Sequence, residues 1–252
     1  MPSRGYTTPG SRRTSVYDPL LSTAYPNSLW TDCPLQEYAH DPMIGIYLNE
    51  PFVSYNAAAT TGDYLLTAAT SGTGAISTVY PGALALDAGA TTANQGPQIQ
   101  RLKAAFLPAS GKDLWFEANI RMTTGIISQL FVGLAASDTT IIASGAMTTN
   151  NRIGWTSVTA DGVLLFDCDK AGTNTTKTAT SVSTSAWVRL GFKYDGTADT
   201  VQQYINGVAT GAAVATTYIP KAAVIYPSFV CQAAGTGQPV MNIGGYRVFQ
   251  LR

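Results

Sequence analysis

The chain has 252 residues, of which 15 are basic and 15 acidic, so its formal net charge is zero at pH 7 and only 12% of its residues are charged. Such a chain does not bind nucleic acid by bulk charge, and no run in it approaches the 18 or more apolar residues of a membrane span. The length suits one large β domain, and the sparse charge fits either a surface kept in solution by Thr, Ser and Asn or one covered by neighbours.

Residues 1–45 are expected to form an extended N-terminal arm. Pro2, Pro9, Pro19, Pro26, Pro34 and Pro42 recur along it, blocking helices and favouring extended backbone, with Tyr6, Tyr17, Tyr25, Trp30 and Tyr38 interleaved. Aromatic residues at this density are typical of contact surfaces rather than of disordered tails. The arm is therefore read as ordered by packing on its own domain or on a neighbour. Arg4, Arg12 and Arg13 make its tip net basic and serve as docking charges, and the expected assembly contacts are Arg4, Tyr6, Arg12, Arg13, Tyr17, Tyr25 and Trp30. The first residues contain no apolar core of a secretory signal, so assembly in a cytoplasm is expected. Cys33, Cys168 and Cys231 lack CxxC spacing and read as free thiols.

From residue 46 to 252 strand signals dominate. "GDYLLTA", "GAISTVY", "ALALDAG" and "QIQRLKAAF" are short segments set off by Gly, Pro, Asn or Thr, and "QRLKAAFL" is too short to stand as a helix. In "DLWFEANIRM", Leu114, Phe116, Ala118, Ile120 and Met122 share one face, opposite Trp115, Glu117, Asn119 and Arg121. "SQLFVGLAA", "RIGWTSV" and "GVLLFDCD" follow. In "SAWVRLGFKYDG", Val188, Leu190, Phe192 and Tyr194 alternate with Trp187, Arg189, Gly191 and Lys193. Asp195-Gly196 offers a turn tolerant of positive φ, and Asn206-Gly207 a type I′ hairpin turn. "PSFVCQA" and "GGYRVFQL" close the chain. About a dozen strands without a convincing helix imply an all-β fold of two antiparallel sheets packed face to face.

Candidate chemistry is thin. His40 is the single histidine and sits in the arm, outside the strand-rich domain that would need it for a triad. The glutamates are Glu37, Glu50 and Glu117, without the ExDxE pattern that places an acid and a nucleophile on one strand face. Asp167 and Asp169 share a face in "DCDK"; the expected role is a solvated strand end, the alternative a carboxylate pair or half a calcium site. Trp115 and Trp155, with Arg121 beside Trp115, could offer a platform for a glycan, or could be packing. No catalytic residue, metal ligand or cofactor is assigned.

The order "GKDLWFEANIRM", "QLFVGLAASDT", "NNRIGWTS", "SAWVRLGFKYDG", "VQQYINGV" and "IPKAAVIYPSFVCQAA", ending in "GYRVFQLR", resembles the concanavalin A-like (laminin-G-like) jelly rolls among virion structural proteins of tailed bacteriophages. The likeness covers roughly residues 80 to 252 and is strongest at "WVRLGFKYDG" and "YINGV". It implies a jelly-roll sandwich without enzymatic activity, acting as a capsid decoration or cement protein located in the virion. The implied partners are the major capsid protein and copies of itself, without nucleic acid or membrane. The alternative is a tail or fibre component whose lectin-like sandwich binds glycan through Trp115, Arg121 or Trp155, and a third reading is a polysaccharide hydrolase.

Overall fold

The computed structural model describes residues 28–57, 62–69, 72–89, 92–123, 128–158, 163–178, 185–235 and 237–252. Arg4, Tyr6, Arg12, Arg13, Tyr17 and Tyr25 lie outside these residues. The chain passes through a short helix, α1 (Leu35–His40), then β1 (Gly45–Glu50), β2 (Leu65–Ala69), β3 (Thr73–Ile76), β4 (Leu84–Asp87) and β5 (Gly96–Gln100). The middle holds β6 (Leu114–Met122), β7 (Ser128–Ala135), the very short β8 (Ile142–Ala143) and β9 (Ala146–Met147), β10 (Arg152–Ser157), β11 (Leu165–Lys170) and β12 (Thr173–Thr178). β13 (Val188–Asp195), β14 (Thr200–Ile205), β15 (Val208–Val214), a 3-10 turn at Thr216–Tyr218, β16 (Tyr226–Ala233) and β17 (Val240–Leu251) complete it.

Two antiparallel sheets form. One has eight strands in the order β15-β14-β13-β6-β17-β4-β3, with β1 also paired to β17; the other has seven, β12-β11-β10-β7-β16-β5-β2. The alternation read in the sequence sets the core. Leu114, Phe116, Ala118 and Ile120 of β6 and Leu190, Phe192 and Tyr194 of β13 are buried together with Trp155, Phe166 and Phe229 of the facing sheet. Phe116 and Phe192 stack with centroids 5.2 Å apart. β17 keeps its apolar side chains inward only by a bulge: Ile243 pairs with Ile120 and Gly245 with Asn119, so Gly244 is the extra residue. Without that residue a period-2 strand could not point both Met241 and Ile243, and then Tyr246 and Val248, into the core.

The structure departs from the sequence reading at three places. Leu35–His40 is helical rather than extended. The interval between Pro34 and Pro42 leaves seven proline-free residues, and Pro34 stands at the N-cap, where its missing N–H is harmless. At the β13–β14 turn the positive φ falls on Asp199 (59°), not on Asp195-Gly196, whereas Asn206 and Gly207 both have positive φ as a type I′ turn requires. Asp167 and Asp169 are not a solvated strand end; both are fully buried. Among the described residues no helix is long and apolar enough to cross a membrane.

Candidate functional site

Each sheet turns one face to the core and one outward, and the chain itself roofs much of both outer faces. Over the eight-stranded sheet lies a strap, residues 28–44. Ser28 bridges to Val208, and the Leu29 N–H donates to the Gly207 carbonyl. Leu29 is buried against Gly191, where even a Cβ would stand 2.5 Å from the leucine methyl, so only glycine admits the strap. Asp32 accepts from Lys193 Nζ at 2.5 Å and from Trp115 Nε1 at 3.3 Å. Tyr38 of α1 sets its ring edgewise on Phe249, 5.6 Å between centroids, and Trp115, Phe249 and Leu29 form a second small core.

Over the seven-stranded sheet lies the excursion 136–150, which contains β8 and β9. Ile141 and Ile142 pack on Phe131, Ala135 and Val230. Uncharged amides hold its backbone: Gln98 accepts from Ile141 N–H at 2.8 Å, and Gln100 accepts from Asp138 N–H at 2.9 Å and donates to the Ala136 carbonyl. The base of the excursion is closed by Arg152, which donates to the carbonyls of Thr148 and Asn150 and to both Asp167 and Asp169, the last at 3.0 Å. Two carboxylates share one guanidinium in a dry site. Burial pushes the Asp167 carboxyl above the usual carboxylate range, against the pull of Arg152.

Among the described residues, a polar cleft of about 260 Å³ opens on the outer face of the eight-stranded sheet. Its floor is Glu117 and Asn119 of β6 and the bulge at Gly244 and Gly245; Arg189 and Arg247 stand on its walls. Glu117 is 6% exposed and organises the site. Its Oε2 accepts from Arg247 Nη2 at 2.8 Å and from Trp30 Nε1 at 2.9 Å, while Arg189 Nη1 lies 3.9 Å from Oε1. Arg247 is held from the other side by the Trp30 ring, 4.3 Å from its guanidinium carbon. Arg189 is braced by the hairpin turn: its Nη2 donates to the Asn206 carbonyl and its N–H to Asn206 Oδ1. The two guanidinium groups thus keep half-exposed faces in fixed positions.

The residues singled out in the sequence fall as follows. Trp30 packs on its own domain, with its ring against Arg247 and its Nε1 donating to Glu117. Trp115 is 1% exposed beneath the strap and Trp155 is fully buried, its Nε1 donating to the Gly191 carbonyl, so neither indole is open to a sugar ring. Both were alternatives for glycan contact and both are packing, because strap and core take the surface each would offer. Arg121 lies against Tyr80, 4.5 Å from the ring centroid, and does not line the cleft. The three cysteines are free, and burial raises all three thiols, Cys231 to about 12, which leaves them as unreactive thiols at neutral pH. The sequence reading missed Arg189 and Arg247 as a pair, since they come together only through the β13-β6-β17 register that sets Arg189 opposite Asn119 and Arg247 opposite Glu117.

No family model and no curated protein matches the chain. Solved structures do. Peanut lectin superposes with a TM-score of 0.57 over 82% of this chain and 97% of its own, at 14% identity. The β-glucanase of Bacillus licheniformis gives 0.55 over 81% and 97% at 11% identity, and the Crh5 transglycosylase gives 0.55 over 82% and 85% at 12%. The fold is the concanavalin A-like jelly-roll sandwich, one shared by lectins and by enzymes acting on glycans, and at these identities the likeness extends to the fold alone.

Proposed function

We propose that the protein is a non-catalytic structural component of a bacteriophage virion, a decoration protein that binds the outside of the head shell and stabilises it as a homo-oligomer. The observation that carries this reading is that the chain's own segments roof most of both outer faces and leave no long groove among the described residues. A glycan polymer needs an exposed groove, and a glycosidase needs two carboxylates facing it across the scissile bond. Here Glu117 is tied to Arg247 and Trp30, and Asp167 and Asp169 are sealed behind Arg152. A sandwich with both outer faces largely covered by its own chain works as a rigid block that presents edges, loops and one small polar cleft to other proteins. The likeness in sequence to virion jelly rolls and the low charge of the chain support the same assignment, with the major capsid protein as partner and assembly in the host cytoplasm.

The test is co-sedimentation of the purified protein with isolated phage heads and, separately, with tails, beside a glycan array and an assay on β-glucan. Saturable binding to heads alone is the expected result. Binding to tails together with array signal, or release of sugar from β-glucan, would overturn it.

A further inference from the structure

We propose that the cleft between Arg189 and Arg247 is a carboxylate-recognition site that takes one acidic side chain of a protein partner. The proposal rests on the reading of the chain as a shell-binding protein and assigns that contact to a place on the surface.

Charge is the first argument. Glu50, at the cleft wall, turns away to Arg101 at 2.7 Å, so it is neutralised from outside. Two guanidinium groups against the one carboxylate of Glu117 leave one net positive charge in the cleft. Geometry is the second. Arginine side chains ordinarily lose rotamer freedom when they bind, but Arg247 is already clamped between Glu117 and the Trp30 ring, and Arg189 between Glu117 and the Asn206 turn. A ligand that meets them finds donors in place, and that pre-organisation lowers the free-energy cost of binding. Guanidinium groups match the planar carboxylate with paired N–H donors. Asn119 adds an amide on the floor.

The cleft also indicates what kind of carboxylate fits. Its lining has one aromatic ring, Tyr246, which is 3% exposed and whose hydroxyl is bonded to that of Tyr64 at 2.9 Å. Trp187 lies nearby but across Gly244, with its ring carbons 3.0 and 3.2 Å from where a Cβ would stand, and against Tyr80. Among the residues that line the cleft, no indole is present and the one phenol, Tyr246, is buried, so no ring of the lining offers a face for a pyranose to stack on. A carboxylate on a short flexible stem, as on Asp or Glu, needs none.

The experiment uses the full chain and two readouts. In the first, backbone amide chemical shifts are followed while acetyl-Ala-Glu-Ala-amide, its Gln counterpart, or glucuronic acid is added at low salt. The expected result is saturable shifts at Asn119, Gly244 and Gly245 with the Glu peptide only, abolished in Arg189→Gln and reversed by high salt. No shift at these amides with the Glu peptide, equal shifts with the Gln peptide, or shifts with glucuronic acid instead, overturns the proposal. The second readout is head binding by folded Arg189→Glu, expected to fall at least tenfold. Undiminished binding by this variant, with the wild type bound, overturns the assignment of the contact while leaving the shell-binding reading in place; failure of the wild type to bind heads removes that reading itself.

Discussion

Asp199 shows how much one residue can organise here. It takes a positive φ at the β13–β14 turn and accepts from Tyr194 Oη at 2.9 Å, Thr216 Oγ1 at 2.7 Å and Lys221 Nζ at 2.5 Å. The hydrogen bond from Lys221, followed by those from Thr216 and Tyr194, holds its carboxyl below the usual carboxylate range. A carboxyl whose folded pKa is depressed contributes stability that is fully present above the unfolded value of about 3.9 and is lost as pH falls through the folded value. Asp199→Asn should therefore be less stable than wild type at pH 7, and the difference should shrink below about pH 4 in urea titrations at the two pH values. In the core, truncation of Phe116 or Phe192 to Ala should cost about 3–5 kcal/mol, since both are fully buried and stacked on each other. Those two positions were legible from strand parity alone. Trp115 was not, because the same parity that places it on the outer face says nothing of a strap lying across that face.

At the scale of elements, the excursion 136–150 and the strap do comparable work on opposite sheets by different chemistry. The excursion is fastened by buried amides and by Arg152; the strap is fastened by Leu29, by aromatic edges and by the ion pair of Asp32 with Lys193. Replacing Arg152 with Met leaves Asp167 and Asp169 buried without their cation, and should cost roughly 3–5 kcal/mol. Hydrogen exchange should then show the loss of protection concentrated at Ile141 and Thr148, whose N–H groups are bonded within and beneath the excursion. Strands with strong alternation were legible, but β8, β9 and β12 were not, because they are short or are polar on both faces, and β1 was not because it begins where the arm was expected to end. Gln98 and Gln100 carried a signal for the excursion, since uncharged amides on one face of a strand mark a polar surface that another backbone can cover. Asp167 and Asp169 misled in the opposite sense: two charges at a strand end read as solvated until the partner Arg152, on the neighbouring strand, is placed beside them at their register.

For the whole molecule, the sandwich class follows from strand count and the absence of long helical patterns, whereas the unit that includes the strap follows only from packing. Residues 28–44 are part of the folded body, so the arm expected over residues 1–45 is not one detachable piece. Deleting 1–27 removes none of the contacts described for the strap, and should weaken head binding at least tenfold, about 1.4 kcal/mol, if the basic and aromatic tip is the tether. Deleting 1–42 should instead destabilise the fold, because loss of the buried Leu29 side chain by itself is worth about 2–5 kcal/mol. The central claim is that this block of two sheets sits on a head shell, and a cryo-electron microscopy reconstruction of the intact virion tests it most directly. The account predicts symmetric density for the sandwich on the outer surface of the head, with the Arg189 and Arg247 cleft turned to an acidic side chain of the shell. Sandwich density found on the tail, or absent from a virion that carries the protein in no ordered position on its head, would contradict it.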